Sequence, residues 1–248
     1  MISPTPEPAD VPLRVLAETR RLPDHQHMDQ HTLTWIAGNR PAGPSAPATM
    51  PHRPALLVPD ASWFASPPVI DSIHGALHNA RVGLLVQFLA QLRSLHHDHA
   101  LALAAAAACH DCRRHHDRDD PGHGDRAARW LASNLDTVAR TFGHLVTTET
   151  ITAVALHDVP HDAFTDTQAS AYRQSPHLVD LLKSADALDR YRLPLRRWWP
   201  DPSRLRIALP AWLPPVAFDL VVHSEQARLD GATHGEALGH ALHTVLPE

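Results

Sequence analysis

The stretch VIDSIHGALHNARVGLLVQFLAQLRSL, residues 69–95, decides the fold of this chain. Its apolar residues recur at steps of three and four, at Ile70, Ile73, Leu77, Val82, Leu85, Val86 and Leu89. Because this spacing puts them on one face of an α-helix, we predict a long helix over Val69–Leu95. His78 shares the apolar face, and His74 lies one turn earlier on it.

The same helical spacing recurs downstream, whereas strand patterns are scarce. Further helices are predicted over Ala100–Arg113, His123–Leu135, Thr148–His157, Pro176–Tyr191, Pro215–Leu229 and Glu236–Leu246. Thr147 or Thr148 suits the N-cap of one of them, and Pro176 suits the first turn of another. The sequence therefore predicts an all-α chain whose helices form a single bundle over residues 68–248.

Residues 1–67 differ in composition from the rest. Thirteen of the 23 prolines lie in residues 1–68, and Gly38–Pro54 has the composition of a linker or a disordered segment. Apolar residues between Leu13 and Ala17 allow at most one short amphipathic helix, ending near Arg21. We therefore predict a Pro-rich, partly disordered extension at 1–67 ahead of the helical domain.

The overall composition limits the classes of function. A formal net charge of −5 leaves no basic footprint, so no nucleic-acid partner is expected. No apolar stretch approaches the roughly 20 residues of a membrane span, and the Pro-rich start does not resemble a signal peptide. Cys109 and Cys112 are predicted to be ordinary buried thiols. These features favour a soluble cytoplasmic protein without membrane contact, and they leave the oligomeric state open.

Nitrogen and oxygen donors of the kind that bind divalent metals lie along the predicted helices. His110 and Asp111 are adjacent at the end of an alanine-rich stretch, and Asp186 lies on a later helix. A buried carboxylate needs a cation or hydrogen-bond donors beside it. Taken singly, each of these residues has an ordinary structural explanation. The chain has 21 histidines, and Asp186 can form an ion pair with Arg190 at i+4. The joint order His78, His110-Asp111, Asp186 favours a metal site.

Three segments in this order resemble the HD superfamily of metal-dependent phosphohydrolases: HNARV at 78–82, ACHDC at 108–112 and LLKSADALDRYRL at 181–193. The similarity covers about half of the protein, and the LKxADxLD element within the third segment is its most specific part. The resemblance implies an HD-type helical bundle. It also implies that His78, His110, Asp111 and Asp186 are metal ligands, with Asp186 rather than Asp189 as the last of them.

Two further histidines lie between the His-Asp pair and Asp186: His123 in DPGHGDRAA and His157 in AVALHDVP. Superfamily members with two metals insert additional histidines in this interval, so the resemblance implies that these two bind a second ion. A chance occurrence is equally open in so histidine-rich a chain. The expected cofactor is one or two divalent ions, of Mn, Fe, Co, Zn, Ni or Mg.

Arginines follow both halves of the predicted site: Arg113 and Arg114 after the His-Asp pair, and Arg190 and Arg192 farther along. Guanidinium groups suit a substrate phosphate because they are permanently charged and bidentate. Solvated helix ends explain these arginines equally well. His74 is a candidate either to contact the substrate or to orient the metal-binding histidine one turn later.

The resemblance implies hydrolysis of a small phosphate ester, a nucleotide or related metabolite, by metal-activated water with Asp111 as the central catalytic ligand. With one ion, a base would be needed, and Asp117, Asp119 and Asp120 are candidates. Two alternatives stay open: a di-iron oxygenase of the inositol-oxygenase-like type, and a non-enzymatic, metal-stabilised domain that binds a nucleotide. The better-defined subfamilies fit poorly, since the chain has no Gly-Tyr-Pro triplet and Cys112-Arg113 stands where alarmone hydrolases have Glu-Asp.

Overall fold

A computed structural model describes residues 11–46 and 50–246; the start of the predicted extension, three residues of the predicted linker and the last two residues lie outside this range. Within the described residues the chain is helical and has no strand, which confirms the all-α prediction. None of the helices in this part of the chain is long and apolar enough to cross a membrane.

The described residues form eleven α-helices, joined in places by short 3₁₀ turns. In chain order they are α1 (Leu13–Glu18), α2 (Gln30–Ala37), α3 (Ala76–Leu92), α4 (His97–Ala107), α5 (His123–Ser133), α6 (Leu135–Phe142), α7 (Thr148–Leu156), α8 (Asp166–Gln174), α9 (Pro176–Asp189), α10 (Leu213–Leu229) and α11 (His234–Val245).

Helix α3 is the central helix of the bundle. It packs against α4, α9, α10 and α11, while α5 and α7 cover the side beyond α4 and α9. As a result 15 of its 17 residues are buried. Burying a side chain such as Leu84 or Phe88 stabilises the fold by about 1.5–3 kcal/mol each. The polar residues of α3, among them His78, Asn79 and Arg81, therefore lie in the interior and need partners there.

The predicted start of this helix at Val69 is wrong, because α3 begins at Ala76. The preceding residues form tight turns, in which the Ala76 amide donates to the Ile70 carbonyl at 2.8 Å. Only glycine fits at position 75, since a Cβ there would lie 2.1 Å from the Ile70 oxygen. His74 consequently lies in the turn ahead of α3 and not on its apolar face. The periodicity misled because this turn also buries Val69 and Ile73.

The predicted end of the second helix is also wrong. Helix α4 ends at Ala107, and successive turns follow it, with the His110 amide donating to the Ala107 carbonyl at 3.2 Å. His110 and Asp111 therefore project from a turn at the end of α4. The neighbouring Cys109 and Cys112 are buried thiols, as predicted.

Three helices were not expected from the sequence: α2, α6 and α8. Helix α2 corrects the prediction of at most one short helix in residues 1–67, because α1 and α2 are both present. The Asp29 carboxylate caps α2 by accepting from the Thr32 amide at 2.8 Å, and Leu33 and Ile36 are buried. Helix α8 buries none of its residues, so no apolar period marks it. It begins instead with a capping box between Thr165 and Gln168.

The other predicted helices are present, with small shifts at their ends. Helix α7 has Thr147 as its N-cap, which also makes a capping box with Thr150. Helix α9 ends at Asp189, and the predicted last turn is a 3₁₀ turn over Arg190–Arg192.

Candidate metal centre

Six side chains converge at one end of α3, from five different parts of the chain. They are His78 in the first turn of α3, His110 and Asp111 in the turn after α4, His123 at the start of α5, His157 at the end of α7, and Asp186 on α9. The structure thus brings together all six predicted ligands. Five of them are buried, and the Asp186 side chain is 30% exposed.

The four histidines share one orientation. The Nδ1 atom of each lies 2.7–2.8 Å from an oxygen: Asp189 Oδ2 for His78, and the carbonyls of Ala107, Asp120 and Val154 for His110, His123 and His157 respectively. A carbonyl oxygen only accepts, so Nδ1 of these rings must carry the proton and donate. The lone pair is then on Nε2, which faces the centre in all four. This arrangement is typical of metal-binding histidines.

His78, His110 and Asp186 form the first cluster of donors. The His78 Nε2 atom lies 3.4 Å from Asp186 Oδ1, and His110 Nε2 lies 3.9 Å from the same oxygen. Asp111 Oδ2 is 3.6 Å from His78 Nε2. Two donors bound at about 2.1 Å to one ion stand roughly 3.0–3.4 Å apart. The cluster is therefore slightly wider than a closed coordination shell.

His123, His157 and Asp111 form the second cluster. The Asp111 Oδ1 atom lies 3.0 Å from His123 Nε2 and 3.3 Å from His157 Nε2, and the two Nε2 atoms are 3.1 Å apart. All three separations match those of donors around one ion. Asp111 thus faces His78 with Oδ2 and both His123 and His157 with Oδ1, and His110 Nε2 lies 3.8 Å from Oδ1 between the two clusters.

These residues fit a divalent cation. Among the described residues the buried Nε2 atom of His110 has no hydrogen-bond partner, and the Nε2 atoms of His123 and His157 lie 3.1 Å apart, with Arg114 Nη1 3.2 Å from that of His123. Unsatisfied buried acceptors are costly, and a cation between them would satisfy them. Imidazole and carboxylate donors suit Zn, Fe, Mn or Co. The His/Asp groups can therefore hold a metal ion.

The surroundings of the site hold Asp111 and His110 in the forms that bind metals. Burial alone would raise the pKa of Asp111, but His110, His123 and the Arg114 guanidinium outweigh it and hold that pKa well below the usual range. Burial lowers the pKa of His110 to about 3, so its ring is neutral near pH 7. A neutral imidazole and an ionised carboxylate are the ligand forms. Burial would lower the pKa of His123, but the Asp111 carboxylate outweighs it and raises that pKa, so the His123 ring must release a proton when it binds a metal.

Behind His78 lies a buried ion network that the sequence analysis missed. The Asp189 carboxylate accepts from His78 Nδ1 and, at 2.7 Å, from Arg81 Nε. Arg81 Nη1 donates in turn to Glu225 Oε1 at 2.7 Å and to the Ser224 hydroxyl at 3.1 Å. The network ties α3, α9 and α10 together and orients the His78 ring. An arginine amid the apolar residues of the central helix was the available signal for it.

Two more side chains position the ligands from outside the clusters. Asn79 Oδ1 accepts from the Asp111 amide at 3.0 Å and so holds the turn after α4 against α3. Asp158 Oδ2 accepts from the Gly122 amide at 3.1 Å, at the start of α5, and lies 3.5 Å from His123 Nδ1. Neither residue was predicted. Both directly follow a predicted ligand in the sequence, which is the only signal that marks them.

The clusters open into a cleft of about 320 Å³, whose lining includes His74 and three of the four predicted arginines. Arg114 Nη1 lies 3.7 Å from Asp111 Oδ2, and Arg192 Nη2 lies 3.3 Å from His78 Nε2. Arg190 is exposed at the rim. Arg113 does not line this cleft, because its guanidinium donates to the Trp63 carbonyl at 3.0 Å.

His74 packs against His78 but does not donate a hydrogen bond to it. Its Nδ1 atom lies 3.1 Å from Asp117 Oδ1, and its ring meets the His78 ring edge to face with centroids 5.7 Å apart. Burial lowers the pKa of His74 to about 4. His74 is therefore a neutral wall of the cleft that is fixed by Asp117.

Comparison with known proteins identifies no relative of this chain. No protein-family model, curated protein or solved structure matches the chain. The case for a function therefore rests on the residues and geometry of this centre.

Proposed function

We propose that this protein is a metal-dependent phosphohydrolase of the HD type that acts on a small phosphate ester, such as a nucleotide or related metabolite. The observation that carries the proposal is the convergence of four Nε2 atoms on Asp111 and Asp186, with every Nδ1 atom held by an oxygen. We assign one divalent ion to His78, His110, Asp111 and Asp186, and a second to Asp111, His123 and His157.

The cationic side chains favour a phosphate substrate over other uses of such a centre. Arg114 and Arg192 are buried beside the clusters, where their permanent charges attract an anion. Arg192 Nη1 is buried 3.5 Å from Asp189 Oδ2, which balances part of its charge, but it makes no hydrogen bond among the described residues, so a phosphoryl oxygen would supply one. A di-iron centre that activates dioxygen does not need these arginines. We therefore rank the di-iron oxygenase function second.

The protein's own groups supply orientation and proton transfer. Bound divalent ions would lower the pKa of a water molecule and offset charge on the phosphoryl oxygens. Arg114 and Arg192 hold the ester against Asp111. Of the sequence-based candidates for the base, Asp117 and Asp120 are already engaged, by Ser72 and by Arg126 respectively. Asp158 lines the cleft and forms no ion pair with an arginine or lysine among the described residues, so we assign it the proton.

Replacing Asp158 with asparagine tests this assignment. The amide oxygen can still accept from the Gly122 amide, but the side chain no longer takes a proton. We expect kcat to fall by about 10²–10⁴-fold with metal content unchanged. Phosphate release from nucleoside phosphates and p-nitrophenyl phosphate would be measured after chelation and reloading with Mn²⁺, Fe²⁺, Co²⁺ or Zn²⁺.

Asp162→Asn is the matched control, since Asp162 is exposed four residues downstream. It should leave kcat unchanged. Phosphate release that survives complete chelation would refute the proposed function. Oxygen consumption by the iron-loaded protein, without phosphate release, would favour the di-iron oxygenase instead.

A further inference from the structure

A second and larger cavity, of about 800 Å³, opens beside the metal cleft. The two share His74, Arg114, Arg190 and Leu193 in their walls, so they adjoin each other. The outer walls of the larger cavity come from the segment after α1 and from the 3₁₀ turn near Trp198. Neither segment belongs to the metal centre. We call this cavity the arginine pocket.

The arginine pocket is strongly cationic in a chain of net charge −5. Two carboxylates line it, Asp117 and Asp119, against five guanidinium groups: Arg20, Arg114, Arg118, Arg190 and Arg197. The charge of Asp117 is already engaged, because Oδ2 accepts from the Gln26 amide at 2.7 Å and Oδ1 from the Ser72 hydroxyl at 2.6 Å. The pocket is therefore built to attract an anion.

Arg20 occupies a backbone position that ordinarily belongs to glycine. Its φ is 59°, in the left-handed region, where it ends α1. The Arg21 amide donates to the Leu16 carbonyl at 2.8 Å and the Arg20 amide to the Ala17 carbonyl at 3.3 Å, which is a Schellman motif. Glycine would adopt this conformation without steric cost. An arginine here brings a guanidinium to the pocket despite that cost.

Several of these guanidinium groups are free to bind a ligand. Within residues 11–46 and 50–246, the Arg20 and Arg190 side chains make no hydrogen bond or ion pair. Arg197 lies over the Trp198 ring at 5.4 Å from its centroid, and its N–H groups make no hydrogen bond within the same described ranges. Arg118 is 3.5 Å from Asp24 in an exposed pair that solvent screens.

We propose that the arginine pocket binds a second, non-reacting phosphoryl group of the substrate, while the reacting ester lies at the metal centre. The inference rests on the proposed function, and it narrows the substrate class to compounds with at least two phosphoryl groups. Guanidinium forks bind phosphoryl oxygens bidentately, so several of them around one pocket select a polyanion over a monoester.

Three adenosine ligands test the pocket, because they differ only in phosphate number and position: the 5′-monophosphate, the 5′-diphosphate and the 3′,5′-bisphosphate. Their Kd values would be measured by calorimetry on the metal-loaded full chain, with ligand integrity checked by chromatography. We expect at least one two-phosphate ligand to bind 10-fold or more tightly than the monophosphate. The double variant Arg20→Gln/Arg197→Gln should reduce this preference to 3-fold or less.

Arg93→Gln/Arg173→Gln is the matched control, since it removes two exposed arginines outside the pocket and should retain the preference. Arg118→Gln, which removes a third arginine from the wall of the pocket, should lower the preference for two phosphoryl groups only in part. The proposal is overturned if no two-phosphate ligand exceeds the monophosphate by 3-fold, or if the Arg20→Gln/Arg197→Gln protein keeps the full preference. Because binding is measured separately from phosphate release, a failure of hydrolysis would refute the proposed function and leave the binding result to be judged by itself.

Discussion

Replacing Asp111 with alanine is expected to remove both bound metal and activity. Asp111 faces His78 with one oxygen and His123 and His157 with the other, so it belongs to both clusters. Its loss should reduce metal affinity by more than the roughly 10–100-fold that removing an outer partner of a ligand costs. Elemental analysis of the purified protein and phosphate release from the same preparation would measure both effects.

Asp98→Ala provides the comparison for this variant, because Asp98 is 83% exposed at the start of the helix that leads to the same turn. It should retain metal and activity. An Asp111→Ala protein that holds as much metal as the wild type, or releases phosphate as fast, would contradict the bridging role of this carboxylate.

Replacing Arg81 with methionine is expected to lower the free energy of unfolding by about 3–5 kcal/mol. The substitution keeps a long apolar side chain but leaves Glu225 without its buried cation, and Asp189 with only His78 and the Arg192 guanidinium, 3.5 Å away. An uncompensated buried charge is far more costly than the pair that it replaces. Urea denaturation of the metal-free protein, followed by circular dichroism, would give the change without a contribution from bound ions.

Arg129→Met is the control for the arginine network. Arg129 pairs with Asp125 on the surface of α5, where both side chains are exposed and an ion pair contributes about 0–1 kcal/mol. The account of the network would be wrong if both substitutions lowered the free energy of unfolding by similar small amounts.

The fold was predictable wherever an apolar face repeats over several turns. Helix α3 and the end-capped α7 illustrate this, and residue type narrowed the N-cap of α7 to Thr147 or Thr148, of which the structure shows Thr147. The start of α3 was not predictable, because the turn before Gly75 buries apolar residues at a spacing that imitates a helix. The exposed α8 gives no such period, so only its capping box marks it.

The candidate site was predictable at its metal-facing residues but not behind them. His78, His110, Asp111 and Asp186 stand out because they are ionisable residues in apolar surroundings. Their hydrogen-bond partners lie far away in the sequence: Asp189, which pairs with His78, is 111 residues from it. Likewise, the sequence does not show which way the side chain of an arginine after a turn points. Arg113 donates to the Trp63 carbonyl and does not reach the cleft.

Anomalous diffraction from crystals of the Mn²⁺- or Zn²⁺-loaded protein tests the metal centre most directly. We expect one anomalous peak among His78 Nε2, His110 Nε2, Asp111 Oδ2 and Asp186 Oδ1, with metal–ligand distances of about 2.0–2.2 Å. A second peak is expected among His123, His157 and Asp111 Oδ1. Crystals that bind the ion elsewhere, or that leave these six side chains without a peak at saturating metal, would contradict the account.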